Sequence, residues 1–245
     1  MESLRRKTVE LLAPARDYLS AVAAVDYGAD AVYMGGAKFG ARQAAGNAAE
    51  EIARAVGYAH RYGVRVHATL NTVELHASTQ VSNRTPEGAR FLGEAGFARV
   101  ILERNLSLDE IRAICRATRA EVECFVHGAI CVGYSGRCFL SRSMSARSGN
   151  RGACSQPCRL TYDLTDGRGH TYIAGKHLLS VRDMNLSAHL GELLDAGVTS
   201  FKIEGRLKDV NYIRNVVAFY RRATDEALAA RPRLGRASVG ESVPD

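Results

Sequence analysis

The stretch Glu123 to Arg159 of this 245-residue chain is dense in Gly, Ser and Arg and holds five of the six cysteines, four of them with the spacing Cys131-x6-Cys138-x15-Cys154-x3-Cys158. The segments between them are too rich in Gly and Ser for a buried helix or a central strand, so the four thiols belong to a loop that something must hold. Thiolates bind soft metals, and an all-cysteine set of four suits zinc or an iron–sulfur cluster. The tight CxxC pairs of zinc sites are missing, which favours the cluster. Cys115, in an amphipathic stretch, and Cys124, in an apolar run, read as small core residues.

The surroundings of the thiols are basic. The formal net charge is +7, and Arg137, Arg142, Arg147, Arg151 and Arg159 all fall inside the cysteine segment. Such a loop either attracts phosphate-bearing partners or is simply a solvated surface. No stretch approaches the roughly 20 apolar residues that cross a bilayer, and MESLRR is not followed by the apolar run of a secretory signal. The expectation is a cytosolic protein without membrane association, whose cysteines are ligands, reactive thiols and core rather than a disulfide framework.

The rest of the chain must position this loop. Short apolar runs at 11–15, 31–35, 64–71, 74–80, 99–104, 121–127 and 200–205 alternate with segments of helical spacing, most of them closed by Gly28, Gly63 or Gly96. Ser107 and Glu110 form a capping-box pattern, and 210–230 reads as a long last helix. Alternation of this kind predicts an α/β fold, a TIM-like (β/α) barrel. Residues 1–230 form its domain, with a cysteine-rich insertion at 128–175 that ends in a small hairpin around Asp166-Gly167; 231–245 reads as a loose tail. Seven runs are one short of eight. Only Thr72 and Val73 separate the third from the fourth, too few for a parallel crossover, so a βα unit is missing there or 64–80 is irregular.

Polar residues gather at the carboxyl ends of the strands, the face where such barrels keep their sites. Asn71, Gln80, Glu103, Arg104, His127 and Glu204 all lie there. Each taken alone suits a loop-capping hydrogen bond. Together they suggest a site, with His127, four residues before Cys131, as base or ligand.

LLAPA, GADAVYMGG, FGAR, HASTQ, ECFVHGAIC (Glu123 to Cys131), YSGRC, NRGACSQPCR and FKIEGRLK, in this order along the chain, resemble the peptidase U32 family. The resemblance covers nearly everything to about Ala230. It implies a TIM-like barrel, often followed by further domains, and a helix and strand that are absent here between HATLNT and LHASTQ. Despite the family's name, it also implies oxygen-independent hydroxylation of RNA, of a 23S rRNA cytidine or a tRNA uridine, or of ubiquinone precursors, with a [4Fe–4S] cluster. On this chain the implied ligands are Cys131, Cys138, Cys154 and Cys158; where some members place a fourth cysteine after the hairpin, this sequence has Asn185. RNA is the implied partner, beside a small-molecule oxygen donor. His127, Glu103 and Glu204 are the candidate proton handlers, and Asn71, Gln80, Arg104, Arg137 and Arg151 the candidate substrate contacts.

Two other readings stand beside this one. Proteolysis is the activity in the family's name, but the sequence has neither HExxH nor GxSxG, leaving only a cysteine thiol with His127. A non-catalytic RNA-binding module is the other.

Overall fold

A computed structural model describes residues 7–36, 46–68, 75–205 and 208–238. Seven parallel strands are present where the apolar runs predict them: β1 (Lys7–Pro14), β2 (Ala31–Met34), β3 (Arg65–Ala68), β4 (His76–Ala77), β5 (Arg99–Ile101), β6 (Glu121–Gly128) and, late in the chain, β10 (Ser200–Ile203). They form one curled sheet in the order β3-β2-β1-β10-β6-β5-β4. Pairing of β1 with β10 joins the first strand to the last, as in a barrel, whereas β3 and β4 are the two edges. The rings of His67 and His76 face each other across that seam with centroids 5.4 Å apart. The opening falls where the sequence lacks a βα unit.

Helices cover the outside. α1 (Tyr18–Asp26) starts on Asp17, whose carboxylate accepts the Ser20 N–H; α3 (Pro86–Glu94) starts on Thr85 with Pro in its first turn. Between them runs α2 (Ala49–His60). α4 (Leu108–Ala117) has the capping box that Ser107 and Glu110 predict. α6 (Leu190–Ala196) and α7 (Val210–Ala229) complete the layer. Strand alternation sends Val9, Leu11, Ala13, Val122, Cys124, Val126, Phe201 and Ile203 outward into this apolar layer, all of them buried. Cys124 is core, and Cys115 packs against it.

The insertion leaves β6 and contains α5 (Leu140–Ser145) and the hairpin of β7 (Tyr162–Thr165) and β8 (Thr171–Lys176). It returns as β9 (Met184–Asn185), antiparallel to the end of β6. Three expectations are corrected. The strand expected at 74–80 is only His76–Ala77, because Ser78 starts a 3-10 turn over Thr79–Val81 and Asn83 Nδ2 lies 2.9 Å from the carbonyls of Ala77, Ser78 and Ile101. The strand expected at 99–104 stops at Ile101, since Glu103 N–H turns to the Asn83 carbonyl. The tail is not loose throughout: β11 (Leu234–Arg236) pairs with β1, and Ser238 Oγ donates to Asp30 Oδ1 at 2.6 Å. That same Asp30 accepts Leu11 N–H and the Arg221 guanidinium, tying the tail to α7 and the sheet.

The inside of the curl is ionic. Barrel lumens are ordinarily filled by branched apolar side chains, but here Arg99 Nη1 reaches Glu10 at 2.5 Å and Glu123 at 3.0 Å, Lys202 Nζ reaches Glu123 at 2.8 Å, and Arg65 reaches Glu10 from the far edge. Strands β1 and β5 are separated by two others, so the Glu10–Arg99 pair spans the lumen. Arg99 is 3% and Glu123 0% exposed. Burial alone pushes both carboxyls up; His67 and Arg99 outweigh it at Glu10, and Lys202 and Arg99 at Glu123, holding Glu10 well below its ordinary 4.5 and Glu123 below it. A carboxyl with a depressed folded pKa stabilises the fold above its unfolded pKa. That contribution is therefore present above about pH 4.5 and lost as pH falls below it. Urea unfolding of Arg99→Ala at pH 7 is expected to show a loss of roughly 3 kcal/mol, because two buried carboxylates lose their shared partner and keep only Arg65 and Lys202; Glu10→Gln is expected to flatten the acid limb of stability.

Candidate active site

The carboxyl ends of β5, β6 and β10 bring the predicted residues to one mouth. Arg104 donates to Glu204 Oε2 at 2.9 Å, and its guanidinium lies 3.7 Å from the centroid of the Phe125 ring. Lys202 faces the same ring and that of Tyr33. Glu204 also accepts the Gly205 N–H, so it sits as an acceptor already turned toward two donors. The Arg104 Nε–H is buried and has no hydrogen-bond partner among the described residues, which leaves one donor of the fork for a bound group. Glu103, also buried, accepts from Ser82 Oγ at 2.9 Å.

His127 takes a different direction. Relative to β10, β6 carries one extra residue just before it: Lys202 pairs with Phe125 and Ile203 with His127. A bulge of this kind re-aims a side chain. The imidazole Nδ1 lies 3.3 Å from Tyr220 Oη, and the ring sits beside Tyr212, both on α7. Burial pulls its pKa down, with Asp183 opposing and Lys208 assisting, so the neutral form prevails near pH 7. Tyr220 Oη is within 2.9 Å of Asn185 Oδ1 and 2.8 Å of the Val126 carbonyl. Asn185 thus belongs to the surroundings of His127. Burial, Asp183 and Glu204 push the Tyr212 hydroxyl up to about 12, and it donates to the Glu204 carbonyl.

Gln80 holds the cysteine loop. Its Oε1 accepts the Gly136 N–H at 2.8 Å, and its carbonyl lies where a Cβ on residue 136 would stand; with φ at +73° as well, that position suits glycine. Asn71 lies outside the described residues. Arg137 and Arg151 are exposed and make no ion pair among the described residues. Arg159, in contrast, is a staple: it donates to the Ile130 carbonyl, Ser180 Oγ and the Val181 carbonyl, joining the two ends of the insertion.

All four loop cysteines are free, Cys131 and Cys154 exposed, Cys138 and Cys158 half-buried. Burial raises the Cys158 thiol, Arg159 opposes this, and Cys131, Cys154 and Cys138 each add to the rise. Cys154 Sγ accepts from Gln156 N–H at 3.3 Å and from Ser141 Oγ at 3.6 Å, contacts of the kind that stabilise ligand sulfur. The Cys138 sulfur lies against Gly133, 3.4 Å from where a Cβ there would stand. No three His, Cys, Asp or Glu among the described residues converge as a single metal ion requires. By its chemistry alone, a set of four thiols on one polar loop is of the kind that holds zinc or an iron–sulfur cluster.

The family model for peptidase family U32 matches residues 16–74 and 72–241. This chain belongs to peptidase family U32. The break between the two matches coincides with the open seam. The 23S rRNA 5-hydroxycytidine synthase of Escherichia coli is 45% identical over 273 aligned positions, covering 96% of this chain and 42% of that protein. That alignment is longer than the 245-residue chain, so the relative has residues that this U32 chain lacks. A tRNA hydroxylation protein of Bacillus subtilis is 36% identical over 91% of this chain and 64% of its own length, and a collagenase of Porphyromonas gingivalis is 30% identical over 88% and 65%. The chain spans less than two thirds of each of these relatives. A solved U32 peptidase aligns with TM-score 0.50 at 13% identity, over 80% of this chain and 93% of that one, supporting the barrel-like fold alone.

The sequence reading missed Lys202, Phe125, Tyr212 and Tyr220. Period-two spacing in SFKIEGR puts Lys202 on the face of Glu204 and was a usable signal; the tyrosines come from a helix whose approach no local pattern reveals. Because Arg159 bridges the insertion's ends far from the apolar core, Arg159→Ala is expected to speed amide hydrogen exchange across 129–183 while leaving exchange in β1 and β10 unchanged, as read by mass spectrometry.

Proposed function

We propose that this chain is the barrel portion of an oxygen-independent RNA hydroxylase, with a [4Fe–4S] cluster on Cys131, Cys138, Cys154 and Cys158. The observation that carries the reading is the placement of four thiols on one basic loop, at the end of the strand that also supplies the mouth. It is supported by relatives named for rRNA and tRNA hydroxylation. Zinc is the alternative occupant; the absence of tight CxxC pairs from the sequence favours the cluster. When bound, the cluster supplies one-electron chemistry at a potential set by its hydrogen bonds and exposure.

The chain's own residues then divide the remaining work. Exposed arginines of the loop hold phosphates, which positions RNA without reading its sequence. An unpaired or extruded base enters the mouth. There Arg104, braced on Phe125 and Glu204, offers its free Nε–H to a carbonyl or anionic group of the base or of a small-molecule oxygen donor. Neutral His127, oriented by Tyr220, and the carboxylates of Glu103 and Glu204 are the groups that can accept or return a proton. The peptidase reading retains a named relative, but the hydrogen-bond and ring contacts of His127 among the described residues are with Tyr220 and Tyr212 rather than with a thiol.

Anaerobic purification is expected to yield a brown protein with iron and sulfide in equal amounts, and Cys138→Ser is expected to lose both. Incubated with bulk RNA from cells deleted for the protein, a low-potential reductant to prime the cluster, and a protein-free small-molecule extract as source of the oxygen donor, which gives up one oxygen atom and takes up the two electrons the base loses, the cluster-loaded chain is expected to convert one C–H of a pyrimidine nucleoside to C–OH, read by mass spectrometry of the digest. Stoichiometric zinc with no sulfide would defeat the cluster assignment; thiol-dependent peptide cleavage would replace the hydroxylase with the peptidase.

A further inference from the structure

The basic charge of the chain is concentrated in one place. Residues 129–183 carry eight Lys and Arg against three Asp, a net +5 of the chain's +7, and no acidic residue occurs between Ala129 and Tyr162. Within that acid-free run two aromatic rings stand in solvent, Tyr134 at 57% and Phe139 at 68% exposure. Neither position is a gap in the core: both lie on the loop that winds around Cys138, with Tyr134 between Cys131 and Cys138 and Phe139 directly after it. The Arg84 guanidinium already stacks on Tyr134, 4.7 Å from the ring centroid, and Arg137, Arg147 and Arg151 are exposed with no ion-pair partner among the described residues. Exposed rings interleaved with unpaired arginines match what single-stranded nucleic acid requires, flat faces for bases and cations for the backbone.

Resting on the hydroxylase reading, we propose that Tyr134 and Phe139 form a stacking platform for unpaired RNA bases beside the cysteine loop, with Arg137, Arg147 and Arg151 neutralising the adjoining phosphates. The exposed aliphatic residues of the insertion, Leu160, Leu164, Ile173 and Leu178, lie in the later hairpin stretch and offer no ring for stacking, so they are not part of the platform. Duplex RNA keeps its bases stacked on each other and presents mainly backbone. The platform therefore selects loops and unpaired ends and delivers them to the mouth of the barrel.

The test is fluorescence anisotropy of the full, anaerobically purified chain with a labelled single-stranded oligoribonucleotide and with a hairpin duplex of the same length. The expected result is tighter binding of the single strand. Tyr134→Leu and Phe139→Leu each weaken it by roughly 5- to 150-fold, Phe139→Trp restores it, and Arg147→Gln lowers the salt slope by about 0.7. Iron content stays unchanged in all four. If the Tyr134→Leu/Phe139→Leu double variant binds the single strand as the parent does, or if duplex is preferred, the platform is overturned and the hydroxylase reading stands. A parent chain that holds its cluster but binds neither RNA overturns both. Loss of self-association in the double variant, with RNA binding intact, would assign the two rings to a protein interface instead.

Discussion

The salt-bridge chain through the lumen is the constraint on which the rest depends. Glu10 on β1, Arg99 on β5, Glu123 on β6 and Lys202 on β10 meet inside a sheet whose first and last edges are not joined. An apolar lumen of this shape would face water at the seam between β3 and β4, where Arg65 is half exposed, and would lose the hydrophobic gain that normally fills a barrel. Ions that satisfy one another tolerate a wet edge better, because a lumen charge near the opening can share its partner with solvent. The same chain fixes curvature: Glu10 and Arg99 cannot meet unless β1 and β5 bend toward each other across the two strands between them. Buried ion pairs add little net stability compared with apolar packing but are costly to break singly. This one holds the geometry of the curl more than it deepens its energy.

Curvature in turn sets the mouth. Arg104 and Glu204 lie on connections from strands that β6 separates, and they pair only because the sheet is bent around Phe125. The bent sheet also lets α7 lean over the end of β6, where Tyr220 reaches the Val126 carbonyl and the His127 ring. A flat version of the same seven strands would keep every helix and lose the site.

Much of this was legible before any coordinates. The seven parallel strands, the helix cap at Ser107, the hairpin after the cysteines and the missing unit between Asn71 and Glu74 follow from spacing and from residues with one dominant structural use. The lumen was not legible. Glu121, Glu123, Phe125 and His127 alternate with apolar residues exactly as a half-solvated strand does, and nothing local says that the polar face meets other charges rather than water. Nor could spacing show that Gln80 and Arg159 brace the insertion, since their partners are 56 and 29 positions away. The tail at 234–238 read as loose because its composition is poor in apolar residues; its order comes from backbone pairing with β1 and from Asp30, neither of which composition reports.

One strand carries both halves of the site. β6 places Glu121 and Glu123 in the ion chain, Phe125 under Arg104, His127 at the bulge and, four residues later, Cys131 at the start of the loop. Its register is held on one side by β5 and on the other by β10, so the distance from the lumen charges to the first thiol is set by rigid chain rather than by the loop. The loop beyond is polar, lies outside the apolar core and is tied at its base by Arg159 and at its middle by Gln80. On the proposed reading, a loop of that construction would adjust around a cluster or a strand of RNA without moving His127, Glu103 or Glu204. Rigid register would then place the groups of the mouth, and the polar loop would supply the compliance that a flexible polymer needs.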